Sequence, residues 1–118
     1  MTLDELLAAT RLDRRYMPDL VAMSRQLLAD PDPETRTRAA AMAFYAVRQL
    51  LPSLSIAERT SLCQATLVEL DTAISRGLAG PEKPLAGALR AVLIQLIEKP
   101  LEIDQEIRRN DGWIRRDH

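Results

Sequence analysis

Few residues in this chain could carry out chemistry, and their spacing decides what each is fit for. The one cysteine, Cys63, falls on the apolar side of a helical pattern and has no histidine near it to take its proton. Such a thiol is an inert packing group, because only the thiolate is a nucleophile or a metal ligand. The one histidine is His118 and no Glu-x-x-His pair occurs, so neither a zinc site nor a di-iron bundle finds its ligands. Glu98, Glu102, Asp104 and Glu106 could surround a hard cation, but acids crowded around a helix start more simply match the positive end of its dipole. Glu69 and Asp71 stand two apart on a helical stretch and point to different sides, so they do not form an acid/base dyad. No glycine-rich phosphate loop is present. The expectation is a protein with no catalytic residue, no metal and no cofactor.

Arginine is the exception. Of 16 basic side chains, all but Lys83 and Lys99 are arginine. They gather as Arg11, Arg14 and Arg15, as Arg36 and Arg38, and as Arg108, Arg109, Arg115 and Arg116. A guanidinium grips phosphate by paired, directional hydrogen bonds, so each group is a candidate nucleic-acid contact. The competing reading is salt bridging with Asp13, Asp19, Glu34, Asp111 and Asp117, interspersed among them. Tyr16, Phe44, Tyr45 and Trp113 are scattered, not interleaved with the basic residues as base stacking would need. The 17 acidic side chains offset the 16 basic ones, so bulk attraction to nucleic acid or anionic lipid is not implied. Ile107-Arg108-Arg109-Asn110-Asp111 is echoed by Ile114-Arg115-Arg116-Asp117-His118. On a continuous helix this offset places Ile107 and Ile114 on one face. With Trp113, Arg115 and Arg116 they form a candidate protein-binding tail, since tryptophan and arginine are enriched at binding hot spots.

The elements that must position these residues read as helices throughout. Thr2 and Glu5 make a capping box before Leu3, Leu6 and Leu7. Pro18 pushes Met17 away from helical angles and opens a helix to about Ala29, with Leu20, Val21, Ser24, Leu27 and Leu28 inward. Asp32 caps and Pro33 begins a central helix to Leu51, roughly 28 Å long. From Ala39 to Val47 it is apolar almost all round, so it should be surrounded by other elements. Ser55 and Glu58 make a second capping box, and Gly77 closes that helix. Ile56, Thr60, Cys63, Leu67, Leu70 and Ile74 form its regular seam, suited to a long partner helix or to a second copy of the chain. A loop containing Gly77, Gly80, Pro81 and Pro84 leads to a fifth helix, about Pro84 to Lys99, and Pro100 restarts the chain over Leu101 to Arg109. The fold class expected is all-α: a single compact bundle of five to six helices over residues 1–109, with a short mobile tail over 110–118.

The corner between the second and third helices resembles a HEAT repeat. Leu27-Leu28 closes one helix, Asp32-Pro33 makes the turn, and Arg36 and Ala39 follow in the next. The likeness implies an antiparallel helical hairpin, about residues 18–51, of the kind used in interaction modules; there the small residue permits close packing, and the Asp and Arg of neighbouring repeats pair.

Three functions follow in order. The first is a non-catalytic protein–protein interaction or assembly subunit, an adaptor working through a helical face and the tail. The second is a small helical subunit of a nucleoprotein complex, of the kind found in CRISPR effectors, lining phosphates with Arg11, Arg14, Arg15, Arg36, Arg38, Arg108 and Arg109. A small enzyme is the third. The lone cysteine, the acidic start MTLDELLAA and the lack of an apolar run near 18 residues give the expectation of a cytoplasmic protein without a membrane segment.

Overall fold

The computed structural model describes residues 1–109, with side chains through Gln105. Six α-helices follow one another: α1 (Leu3–Leu12), α2 (Met17–Leu27), α3 (Pro33–Leu50), α4 (Ile56–Arg76), α5 (Lys83–Glu98) and α6 (Pro100–Arg109). Single 3-10 turns, Arg14–Tyr16 and Leu51–Ser53, fill two of the connections. No strand occurs among the described residues.

Local chemistry accounts for the helix starts. Thr2 and Ser55 each accept from the backbone N–H three residues on, while Glu5 and Glu58 reach back to the cap N–H, closing both capping boxes. Asp32 accepts from the Thr35 N–H at 2.9 Å, with Pro33 in the first helical turn. At the end of α4, Gly77 has φ +107° and donates to the carbonyls of Ala73 and Ile74. Side chains other than hydrogen rarely adopt that backbone, so glycine is required for the chain to turn here.

Met17 departs from expectation. Its angles are helical (φ −58°, ψ −45°) although Pro18 follows. The preceding 3-10 turn leads straight into α2, and Met17 is buried in the core. Burying its side chain outweighs the preference of a residue before proline for extended backbone.

The helices form two antiparallel hairpins, α2–α3 and α4–α5, joined mainly where α3 meets α5. α1 packs chiefly on α2, and α6 lies against α4 and α5. Leu20, Leu28, Ala43, Val47, Leu70 and Leu89 sit at the centre, each shielded from solvent. Ala39, Ala40, Ala43 and Ala46 are fully buried on α3 and let its neighbours approach closely.

The seam expected on α4 is turned. Cys63 and Leu70 are buried as the pattern requires, but the other buried positions are Arg59, Thr66 and Ala73, while Ile74 is 38% exposed. Arg59 rotates the face: Nη1 donates to Asp104 of α6 at 2.6 Å and Nε to the Leu51 carbonyl at 2.8 Å. The six seam residues therefore do not form one face open to a second copy.

Candidate functional site

Of the arginines singled out in the sequence, Arg14, Arg36 and Arg38 are joints of the fold. Arg36 is 4% exposed. Its Nη1 donates to the carbonyls of Asp30 and Pro31, and its Nε and Nη2 reach those of Arg76 and Gly77. It thus fastens the α2–α3 corner to the C-terminal end of α4, satisfying carbonyls that a helix end leaves without partners. This corrects its reading as a surface phosphate contact: a guanidinium so enclosed offers no donor outward. The corner also differs from the resemblance in the partners Arg36 takes, which are backbone carbonyls.

The Arg11, Arg14 and Arg15 group disperses. Arg14 donates to the side chain and carbonyl of Gln49 at the end of α3, both at 3.3 Å. Arg15 is clamped on Asp13 at 2.6 Å, which holds the Asp13 carboxyl below its usual range. Arg11 makes no hydrogen bond or ion pair among the described residues and faces a groove described below. Arg38 is bonded to Asp4 of α1 and lies 3.8 Å from Glu82 at the entry to α5. Arg25–Glu69 and Arg90–Asp71 pairs, each at 2.7 Å, tie α2 to α4 and α5 to α4, so Glu69 and Asp71 do point to different helices. Ile107, Arg108 and Arg109 belong to α6 beyond the last described side chain, and Trp113, Ile114, Arg115 and Arg116 lie outside the described residues, as does the 110–118 tail.

Cys63 is wholly buried, and desolvation lifts its thiol to about 11 despite the opposing charge of Arg59. Among the described residues no three of His, Cys, Asp or Glu gather closely enough to hold a metal ion. Asp104, weighed as a cation ligand from its spacing, is instead buried against Arg59.

The remaining feature is a groove over α3. Among the described residues, the central helix is not surrounded. Arg38, Ala41 and Tyr45 lie along its outer side, partly or largely open to solvent, between α1 and α5. The cleft has a volume of about 270 Å³; Leu7 and Arg11 of α1 form one wall, Leu85 and Glu82 the other, and Ala41, Met42 and Tyr45 lie between. A second hollow of about 270 Å³ continues past Arg38 and Glu82 to Thr37 and Gly80. Tyr45 is 36% exposed and Leu85 38%. The opening exists because α1 leans on α2 while α5 packs on the other flank of α3, leaving a strip between them. Its signal in the sequence was the helical spacing of Arg38, Ala41, Tyr45 and Arg48, a stripe with polar ends inside an apolar run.

The chain matches no family model, no curated protein and no solved structure. No helix among the described residues is long and apolar enough to cross a membrane.

Proposed function

We propose that the protein is a non-catalytic interaction module, an adaptor or assembly subunit, which takes part of another protein into the groove over α3. The observation that carries this reading is the half-exposed apolar lining, Leu7, Tyr45 and Leu85, around the small side chain of Ala41. The cleft of about 270 Å³ has room for one or two anchoring side chains of a partner. Aromatic anchors ringed by neutral contacts carry most binding energy at protein interfaces, and Tyr45 is the aromatic residue here.

Affinity purification with the full chain as bait tests this, run beside Tyr45→Asp and with Val68→Asp, exposed on α4 and outside the groove lining, as control. The expected result is a protein retained by wild type and Val68→Asp and lost by Tyr45→Asp. In parallel, labelled single-stranded RNA and DNA are titrated by fluorescence anisotropy at about 50 and 200 mM salt. Binding that weakens tenfold or more between the two would mean that several phosphates are neutralised and would put the nucleoprotein reading first. That reading has fewer supports, because Arg14, Arg15, Arg36 and Arg38 already hold partners within the fold.

A further inference from the structure

We infer that the occupant of the groove is an amphipathic helix of a partner protein, lying antiparallel to α3, with a carboxylate in its first turn against Arg11 and an aliphatic side chain one turn later beside Leu7, Tyr45 and Leu85. This rests on the reading of the groove as a protein-docking site.

Direction comes first. Asp4, early in α1, meets Arg38, early in α3, and Arg14 just beyond α1 meets Gln49 near the end of α3. α1 therefore runs parallel to α3. The start of α3 also meets the entry to α5, through Thr37 on the Ala79 N–H and Arg38 near Glu82, and α5 runs back along α4, so α5 is parallel to α3 as well. Three helices bordering one groove thus point the same way, with their partial negative ends together. A fourth helix running against them places its positive end where those negative ends gather.

Charge comes second. At the end where α1, α3 and α5 begin, Arg38 stands between two carboxylates, Asp4 and Glu82, and needs no further counter-ion. One turn along α1 from Leu7, Arg11 lines the same groove, is exposed and has no partner among the described residues. The surface therefore presents an apolar centre followed by one unmatched cation. Its complement is a carboxylate separated by one turn from an aliphatic residue. In an antiparallel helix that carboxylate falls in the N-terminal turn, where acids are favoured in any case. Ala41 on the floor leaves room for the incoming side chain.

The test is selection from a phage-displayed library of 14-residue peptides on the full chain, followed by anisotropy titration of the enriched sequences as synthetic labelled peptides. Enriched peptides are expected to carry Asp or Glu three or four residues before Leu, Ile or Met. Arg11→Glu, at an exposed position that leaves the fold intact by circular dichroism, should weaken them at least tenfold. A peptide with Lys in place of its acid should regain affinity for Arg11→Glu, and one with the acid after the aliphatic residue should bind worse than the selected order. Peptides lost by Tyr45→Asp but indifferent to Arg11→Glu, or favouring the reversed order, would overturn the partner chemistry and leave the docking site standing. Peptides that bind Tyr45→Asp as well as wild type, or no enrichment at all, would overturn the docking site and the inference together.

Discussion

Arg36 and Arg38 stand two residues apart on α3 and lead opposite lives. Arg36 turns inward and spends its donors on four backbone carbonyls, joining the α2–α3 corner to the end of α4. Arg38 turns outward, pairs with Asp4 and Glu82, and stands in the groove between α1 and α5. Around Arg36 the molecule is closed, and the other end of α4 is closed in the same manner by Arg59. Around Arg38 the helix surface is left open although its residues are largely apolar. Burial decides what a guanidinium is worth. Inside, removing it leaves several part-buried carbonyls without their donor and empties the space its side chain fills, whereas outside, solvent replaces most of what a pair contributed.

Asp104→Ala tests the closed side most severely. It leaves the buried Arg59 without its carboxylate, and losing one partner of a buried pair costs about 3–5 kcal/mol. Urea unfolding should show the midpoint falling steeply. A loss under about 1 kcal/mol would mean that α6 contributes little to the bundle. Next comes Arg36→Ala, expected to cost about 2–3 kcal/mol through the carbonyls it strands. Arg36→Lys should restore less than half of that, because one ammonium cannot reach acceptors on both sides of the corner. On the open side, Arg38→Ala should cost less than about 1 kcal/mol, since its pairs are solvent-exposed. If it matched Arg36→Ala, the contrast between the two sides would collapse.

The gentlest probe is acid. Hydrogen bonds from Thr2, Thr35 and Ser55 hold the carboxyls of Glu5, Asp32 and Glu58 below their usual range. These groups bind fewer protons folded than unfolded around pH 4. Their stabilisation is therefore complete above the ordinary carboxylate range, about pH 4 to 5, and is lost as pH falls through the lower folded values. A series of thermal melts should give a level Tm from pH 7 to about 5 and a decline below about 4. Arg38→Ala should follow the same curve.

The helices were legible because their punctuation is written in single residues. Thr2 with Glu5, Ser55 with Glu58, Asp32-Pro33, Gly77 and Pro100 each act within one turn of chain, and the observed bounds fall within one or two residues of the expected ones. What went unread depends on distant partners. Periodicity counts Arg59 as surface, so it placed the face of α4 one strip away from the true one; Asp104, forty-five residues on, and the Leu51 carbonyl explain the burial. Tyr45 and Ala41 lie inside an apolar run that reads as enclosed. The spacing of Arg38, Ala41, Tyr45 and Arg48 marks the strip, but its width depends on how far apart α1 and α5 come to rest, which that spacing does not encode. In the Arg11, Arg14 and Arg15 group, the Arg15–Asp13 pair lies two residues apart and was legible, whereas Gln49, thirty-five residues from Arg14, was not.

Cys63 gives the molecule a built-in clock. Its sulfur is sealed inside α4, and with a thiol near 11 it is almost wholly uncharged at neutral pH. An alkylating reagent must wait for the chain to open before it can react. With excess reagent and fast trapping, the rate of labelling becomes the rate of unfolding itself, read from the unaltered sequence with no added reporter. Labelling of native protein at pH 8 should therefore be far slower than in denaturant, and Asp104→Ala should quicken it by the share of its lost stability that falls on the unfolding rate.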